Sequence, residues 1–397
     1  MKKICFYSIS THLGGAERSL LELVGKLTQR EDLWCRPFVL LPKKEGHLMD
    51  ALRQIGVRHH VIEMPKEILE LSRNRKLRSL IQLLLSLKPL RRYIKELKTL
   101  LNNEKPDLIH SNAIKCHLIS GLFLKDLGIP VLWHVRDILK KGPLLFVLKH
   151  LASNKIHIIA NSHATANTFL NSGLSVSVIY NGLDLNYFKK KRNLLLHQKL
   201  CLPQSTPLVG ILGALAKWKG QIEFIRMAKK MIDNGSEAHF LIIGDEIYDT
   251  FSEKGFKEVI KEEIQNLKLK DRIHLLGFQK ETNEIINGLD VLVHASIRPE
   301  PFGRVIIEAM ACEVPVVCSA AGGVLEIVDN GKTGLLFSPG NAKEMAACVF
   351  KLLEDKELCN KLTSNALKNV DINFNLHTQT EKIATLYKQI LSRHNKI

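Results

Sequence analysis

The sequence predicts an α/β protein with two doubly wound domains. Its 397 residues exceed one typical domain and suit two. Hydrophobic residues make up 45% and charged residues 24%, an ordinary balance for a globular protein. Short apolar runs alternate with amphipathic stretches from end to end, and the pattern breaks near residues 189–206. This alternation is typical of parallel sheets that carry helices on both faces.

The first domain is expected over residues 1–190. Its candidate strands are short apolar runs bounded by polar or turn residues. They fall at residues 3–8, 36–41, 57–63, 108–110, 131–134, 157–160 and 177–180. Helical patterns lie between them, at residues 17–28, 46–54, 88–102 and 164–170.

A linker is expected over residues 191–206, where a basic run gives way to polar residues and prolines. The second domain is expected over residues 207–375. Its candidate strands fall at residues 207–212, 239–243, 273–276, 291–295, 314–318 and 334–337. Residues 376–397 are predicted to be helical, and whether this helix crosses back to the first domain stays open. Because ligands bind beyond the carboxyl ends of such strands, the predicted site is the cleft between the domains.

The charge is unevenly distributed. The net charge is +17, and residues 1–190 hold 30 Lys and Arg against 15 Asp and Glu, whereas the remainder holds 27 against 25. A one-sided basic field suits an anionic partner, such as phosphate groups or anionic lipid, but a solubilising surface explains it equally well.

The cysteines and the hydropathy pattern predict a cytoplasmic protein. The eight cysteines are scattered and form no C-x-x-C motif, as expected for free thiols in a reducing compartment. The N-terminal apolar run is short and is predicted to be a strand, not a signal peptide. No apolar run reaches the ~18 residues that a membrane-spanning helix requires.

The strongest motif is EPFGRVIIEAMACEVPVV, at residues 300–317. Seven residues separate Glu300 from Glu308, and a helix is predicted to begin near Gly303 between them. Helix N-termini attract phosphate groups, and glycine permits a close approach by a ligand. Two carboxylates on either side of such a helix start suit a sugar nucleotide, which has hydroxyls at both ends and a diphosphate in the middle.

This segment resembles the Glu-x7-Glu signature of glycosyltransferase family 4, whose members are retaining enzymes of the GT-B fold. Further similarities to the family follow in the same order along the chain, at residues 11–23, 158–169, 178–188, 210–224 and 320–337. The resemblance covers nearly the whole chain and is weakest over residues 65–101. It implies two Rossmann-like domains that face each other across a cleft.

The resemblance implies a role for each matching residue. Glu308 is expected to bind the ribose hydroxyls, Glu300 the hydroxyls of the transferred sugar, and Lys219 the diphosphate as it leaves. Backbone N–H groups in the motif are expected to contact the sugar and the phosphate. They belong to Phe302, Gly303 and Arg304 for the sugar and to Val305 for the phosphate.

Other positions complete the expected site. Gly15 is expected to let the backbone approach the phosphates or the acceptor, and Phe278 and Gln279 are expected to line the base pocket. His134 ends a predicted strand, where the family often has a histidine near the reacting carbon, but a purely structural histidine is also compatible with that position. The sequence has Ala214 where many members have an arginine, and Lys217, Arg298 and Arg304 are candidates for the missing charge.

The resemblance implies a retaining transfer to a glycan or lipid-linked acceptor in polysaccharide or lipopolysaccharide synthesis. The donor is expected to be linked to UDP or GDP. No Asp-x-Asp motif occurs, so neither a metal nor another cofactor is predicted. The alternatives are a sugar-nucleotide epimerase, a phosphorylase, or an inactive protein of the same fold that only binds a glycan or a partner.

Residues 73–98 form a basic segment with nine Lys or Arg and one acidic residue, Glu96. A basic amphipathic helix binds anionic membranes, but the same pattern fits a helix that packs its leucines inward and leaves its charges solvated. Both interpretations stay open. Nucleic acid is not predicted as a partner, because aromatic residues are not interleaved with the basic ones.

Overall fold

The computed structural model describes residues 1–10, 13–29, 34–69, 87–152, 156–170, 172–246 and 255–394. Contacts divide the chain into two units. The first joins Met1–Gly182 to Leu376–Ile397, and the second is Leu183–Asn375. Each unit is built around one parallel sheet, so the predicted fold class of two Rossmann-like α/β units is confirmed.

The first unit contains a seven-stranded sheet in the order β3-β2-β1-β4-β5-β6-β7, with parallel pairing throughout. Every predicted strand is present, with ends shifted by a residue or two. The strands are β1 (Lys2–Tyr7), β2 (Cys35–Leu41), β3 (His59–Val61), β4 (Leu108–Ser111), β5 (Val131–Val135), β6 (Ile156–Ala160) and β7 (Val176–Val178).

Helices cover this sheet. They are α1 (Gly15–Thr28), α2 (His47–Gln54), α3 (Lys66–Leu69), α4 (Leu87–Glu104), α5 (Ile114–Phe123), α6 (Pro143–Leu151), α7 (His163–Ala166) and, at the C-terminus, α16 (Leu376–His394). Ile383 and Tyr387 of α16 are fully buried in one core cluster with Ile4 of β1 and Leu23 of α1. The last helix is therefore part of the core of the first unit.

The second unit contains a six-stranded parallel sheet in the order β10-β9-β8-β11-β12-β13. Its strands also match the predicted positions to within a residue or two. They are β8 (Leu208–Leu212), β9 (His239–Ile243), β10 (Ile273–Gly277), β11 (Val291–His294), β12 (Val316–Ser319) and β13 (Leu335–Phe337).

The helices of the second unit connect and cover these strands. They are α8 (Leu195–Leu200), α9 (Gln221–Asp233), α10 (Phe256–Asn266), α11 (Thr282–Asn287), α12 (Arg304–Ala311), α13 (Val324–Ile327), α14 (Ala342–Glu354) and α15 (Lys356–Asn373). Helices α9, α10 and α14 pack Phe224, Ile260 and Val349 into one cluster with the sheet.

The stretch expected as a linker belongs to the second unit and is partly helical. It contains α8, and the Asn287 Oδ1 atom accepts a hydrogen bond of 2.6 Å from the backbone N–H of Lys191. The division between the units falls earlier, after Gly182. Polar residues and prolines interrupt the pattern of strands in this stretch, but they do not mark the boundary between the two units.

In each sheet the strand order reverses once, between β1 and β4 and between β8 and β11. Doubly wound sheets bind ligands at such switch points, beyond the carboxyl ends of the strands. The candidate binding loops are therefore those after β1 and β4 in the first unit and those after β8 and β11 in the second.

All eight cysteines are free thiols, and five of them are buried. Burial raises the pKa of Cys5 and Cys318, so these thiols stay protonated. Among the helices of the described ranges, none combines the length and the apolar character that crossing a membrane requires.

Candidate active site

Glu300 and Lys219 meet at the switch point of the second sheet. Lys219 follows β8 and Glu300 follows β11, and the Lys219 Nζ atom lies 3.1 Å from Oε1 and 2.9 Å from Oε2 of Glu300. The Ser296 hydroxyl donates a third hydrogen bond to Oε2, at 2.9 Å. The two residues to which the resemblance assigned sugar and diphosphate binding are thus in direct contact.

The electrostatic environment keeps the Glu300 carboxyl ionised. Glu300 is 8% exposed, and burial by itself would raise its pKa. Lys219 and His294 oppose this effect and hold the pKa of Glu300 well below its usual range. The His294 Nε2 atom lies 3.4 Å from Oε2. The site is therefore an anionic carboxylate with a lysine ammonium beside it.

Two glycines pack against the backbone that carries Glu300. A Cβ on Gly322 would lie 2.3 Å from the Glu300 carbonyl oxygen, and one on Gly323 would lie 2.4 Å from that of Pro301. The Gly323 N–H donates to the Glu300 carbonyl at 2.8 Å. No side chain fits in these gaps, which gives a physical reason for the paired glycines in the AAGG segment.

Helix α12 begins directly after Gly303, whose φ of 101° favours glycine. Arg304 and Glu308 lie one turn apart on this helix, and Arg304 Nε donates to Glu308 Oε1 at 2.7 Å. Both side chains are buried, at 8% and 4% exposure. Arg304 is therefore engaged with the carboxylate expected to bind ribose. Burial and the same Glu308 carboxylate also raise the pKa of the nearby Cys312 thiol to about 12.

The other residues of the second unit that are expected to bind the donor lie in different environments. Phe302 is buried with its ring against Phe374, at 5.7 Å between centroids, and Val305 is half-buried in the first turn of α12. Phe278 is 47% exposed just after β10. The Gln279 side chain donates to the Leu276 carbonyl at 2.6 Å.

Ala214 is at the position where many family members have an arginine, and its backbone is bound by a neighbouring side chain. The Ala214 carbonyl accepts a hydrogen bond of 2.9 Å from Gln221 Nε2. Of the three candidates for the missing charge, Arg304 is paired with Glu308, whereas Lys217 and Arg298 are exposed. Among the residues that the structure describes, no three His, Cys, Asp or Glu side chains are grouped in a way that could hold a metal ion.

In the first unit, Gly15 is the first residue of α1, and a Cβ there would meet no atom within 4 Å. His134 is fully buried near the end of β5, and its Nδ1 atom lies 3.1 Å from His110 Nε2 and 3.3 Å from Arg136 Nη2. Burial, Arg136 and the neighbouring histidines hold the pKa of His134 well below its usual range, so the ring is neutral.

Several polar residues in these clusters were not expected from the sequence. Ser296 and His294 contact Glu300, while Arg136 and His110 contact His134. A signal existed for His294, because it ends a buried strand at a switch point. Arg136 has no comparable signal, since its partners Asn112 and Asn181 are distant in the sequence.

Two Rossmann-like sheets in one chain, with a carboxylate and a lysine at a strand switch point, define the GT-B class of glycosyltransferase. The structure of Anabaena HepE, crystallised with UDP and glucose, superposes with a TM-score of 0.82 at 28% identity and covers 98% of this chain and all of that one. The model for Glycosyltransferase Family 4 matches residues 13–187, and that for Glycosyl transferases group 1 matches residues 194–369. The chain belongs to glycosyltransferase family 4.

Similar proteins act in bacterial polysaccharide synthesis. The capsular polysaccharide biosynthesis glycosyltransferase CapM of Staphylococcus aureus is 26% identical over 84% of this chain and 85% of its own length. An Escherichia coli enzyme named UDP-Gal:alpha-D-GlcNAc-diphosphoundecaprenol alpha-1,3-galactosyltransferase is 24% identical over 74% of this chain and 80% of its own.

Proposed function

We propose that this glycosyltransferase moves a hexose, with retention of configuration, from a nucleotide-sugar donor to a glycan or lipid-linked acceptor of an envelope polysaccharide or lipopolysaccharide. The contact between Lys219 and Glu300 carries the proposal, because it puts a cation and a hydroxyl acceptor at one strand switch point. The Anabaena protein crystallised with UDP-glucose supports a UDP-linked donor, and the names of the staphylococcal and Escherichia coli relatives support the class of acceptor.

In the proposed reaction, the bond between the anomeric carbon and the phosphate oxygen breaks while a bond to the acceptor oxygen forms on the same face. The acceptor hydroxyl gives its proton to the leaving phosphate. Lys219 neutralises the charge that grows on this phosphate, together with the N-terminus of α12, and no metal takes part. When Lys219 turns to the phosphate, Glu300 is released to accept hydrogen bonds from sugar hydroxyls, while Glu308 binds the ribose.

Thermal shift followed by product analysis tests this proposal. UDP- and GDP-sugars are screened first, because a ligand at about 100 times its Kd stabilises the folded protein by about 2.7 kcal/mol. The sugar that stabilises is then supplied with a lipid-linked acceptor, and the anomeric configuration of the product is determined by NMR. Retention is expected. A product of inverted configuration, or no stabilisation by any nucleotide sugar, would contradict the proposal.

The same assay separates the alternatives. An epimerase converts the nucleotide sugar without an acceptor, a phosphorylase requires free phosphate, and an inactive binding protein releases no nucleotide even on prolonged incubation. A transferase is expected to hydrolyse its donor slowly when the acceptor is absent.

We also propose that the first unit binds the cytoplasmic face of an anionic membrane. Within the described part of the basic segment, α4 buries Tyr93 and Leu97 and exposes a basic face. That face consists of Lys88, Arg91, Arg92 and Lys95. Helix α6 exposes 73% of Phe146, which lies between the exposed Lys141 and the half-buried Lys149. Basic and apolar side chains together are the features that interfacial binding uses.

Co-sedimentation with vesicles tests the membrane proposal. Arg73, Arg75, Lys76 and Arg78, which lie outside the described residues, are replaced together by Gln. Binding to anionic vesicles is expected to weaken and to fall as salt rises, since screening shortens the reach of exposed charges to about 8 Å at physiological salt. The control replaces four exposed lysines of the second unit, namely Lys343, Lys351, Lys356 and Lys361. Equal binding to neutral and anionic vesicles would refute the proposal.

A further inference from the structure

The two oxygen atoms of the Glu300 carboxylate have different surroundings. Oε2 lies 2.9 Å from Lys219 Nζ, 2.9 Å from the Ser296 hydroxyl oxygen and 3.4 Å from His294 Nε2. Among the residues that the structure describes, Oε1 is bound by Lys219 alone, at 3.1 Å. One oxygen is thus held by three side chains, whereas the other depends on a single lysine.

The chemistry of each group determines the direction of these hydrogen bonds. An ionised carboxylate only accepts, so the Ser296 hydroxyl gives its one proton to Glu300 Oε2. The His294 Nε2 atom lies 3.4 Å both from this Oε2 atom and from the Ser296 oxygen, so it faces two acceptors and carries a proton. The contacts of His294 are long, and Ser296 therefore provides the stronger bond.

The backbone around Ser296 is fixed by the loops of the two neighbouring strands. The Ser319 hydroxyl, at the end of β12, donates to the Ser296 carbonyl at 2.6 Å. The N–H of the next residue, Ile297, donates to the carbonyl of Trp218, which follows β8, at 2.9 Å. Ser296 and Ser319 are each 1% exposed. A hydroxyl held in this way is a preorganised partner for the carboxylate.

Lys219 is the partner of Glu300 that can leave. Its ammonium group ends a flexible chain and lies 4.1 Å from the centroid of the Trp218 ring. When Lys219 turns to the diphosphate, Oε2 keeps its contacts with Ser296 and His294. Oε1 then has no partner within the described part of the chain. Because a buried charged oxygen without a hydrogen bond is unfavourable, Oε1 is the atom left to accept one from the donor.

We propose that Ser296 and His294 are positioning residues that hold Oε2 of Glu300, and that Oε1 is the atom that accepts a hydrogen bond from the transferred sugar. The sugar contact rests on the proposed glycosyl transfer, whereas the contacts of Oε2 do not. The proposal also determines the orientation of the amide in Glu300→Gln. Its oxygen must face the Ser296 hydroxyl, so its NH₂ group takes the place of Oε1 and offers the sugar a donor.

A double-mutant cycle tests whether Ser296 acts through Glu300. Ser296→Ala is expected to lower kcat/KM for glycosyl transfer by about tenfold, the worth of a hydrogen bond to a charged group. In Glu300→Gln the same substitution is expected to cause no further loss. The Kd for UDP, which lacks the sugar, is expected to change by less than about twofold in Ser296→Ala. Equal losses in the two backgrounds, or no loss in either, would overturn the proposal.

A spectroscopic test does not depend on a substrate. In ligand-free protein with ¹⁵N-labelled histidine, the His294 ring is expected to carry a proton on Nε2, and His294→Gln identifies its signals. Ser296→Ala is expected to shift these signals. Ser236→Ala, which removes the hydroxyl of a half-buried serine in the same unit, is the control and should not shift them.

The two tests separate this proposal from the proposed function. An Nε2 atom of His294 without a proton, or equal shifts in Ser296→Ala and Ser236→Ala, would refute the contacts of Oε2 even if glycosyl transfer is observed. If the signals behave as expected and no sugar is transferred, only the sugar contact of Oε1 fails.

Discussion

The two glutamates of the candidate site are each paired with a basic side chain, and this determines how their roles must be tested. Glu300 is paired with Lys219, and Glu308 is paired with Arg304 in a more buried setting. Removing one partner of a buried pair leaves an uncompensated charge, which costs about 3–5 kcal/mol of stability. Isosteric amides are milder probes than alanine, because they keep the shape of the side chain and one oxygen that accepts a hydrogen bond from the basic partner.

The ribose assignment is tested by Glu308→Gln. The amide keeps one oxygen for Arg304 but loses the charge that strengthens hydrogen bonds from ribose hydroxyls. Because charge-assisted bonds contribute about 1.5–3 kcal/mol, we expect the Kd for UDP to rise by at least tenfold. Calorimetry measures this, with circular dichroism to check the fold. A folded variant with unchanged affinity would show that Glu308 does not bind ribose.

The paired carboxylate at position 300 predicts an acid-dependent loss of stability. A group whose pKa is lowered by folding stabilises the protein above its ordinary pKa, which is near 4.5, and this stabilisation is lost as the pH falls toward the folded-state value. The melting temperature of the wild type is expected to fall more steeply below about pH 4.5 than that of Glu300→Gln. Glu354→Gln, at an exposed carboxylate of α14, is the control and should follow the wild type. Parallel profiles for wild type and Glu300→Gln would contradict the pairing.

At the scale of elements, α16 shows that the order of packing differs from the order of the chain. It follows the last helix of the second unit, yet its buried face belongs to the core of the first. The Gln379 Oε1 atom also accepts a hydrogen bond of 2.8 Å from the Gly182 N–H, so the two segments of this unit are joined where they meet.

Core substitution in α16 is expected to destabilise the first unit. Ile383 is completely buried, whereas its neighbour Lys382 is exposed. Ile383→Ala should lower the free energy of unfolding by about 2–5 kcal/mol, through lost transfer energy and a cavity. Lys382→Ala should change it by less than about 0.5 kcal/mol. Urea denaturation followed by circular dichroism compares the two, and similar values for both variants would argue against the packing of α16.

At the scale of the whole molecule, the proposed transfer uses positive groups of the protein itself, and not a metal ion, to neutralise the leaving phosphate. The sequence has no Asp-x-Asp motif, and Lys219 and the N-terminus of α12 both belong to the second unit. Transfer is therefore expected to proceed at an unchanged rate in EDTA. The assay compares untreated enzyme, enzyme in EDTA, and enzyme in EDTA with excess magnesium or manganese. Activity lost in EDTA and restored by either metal would disprove metal independence.

Local patterns in the sequence were enough to locate the strands. An apolar run such as residues 239–243 has the same interpretation wherever it lies in the chain, and the structure places β9 at those residues. The family signature likewise lies within one continuous segment, residues 300–317, and it indicated the family and the fold. The proximity of Glu300 and Lys219 was expected only through that resemblance, since they lie 81 positions apart in the sequence.

The sequence by itself thus determined the α/β class, the positions of the strands and the family, because each depends on neighbouring residues or on a continuous motif. Only the tertiary structure decided that α16 completes the first core, that Arg304 is bound to Glu308, and that Tyr387 reaches His134 through His110. His110 and Tyr387 are 277 residues apart. Contacts of this kind depend on how strands and helices cross over in space, and the periodicity of a local segment carries no information about them.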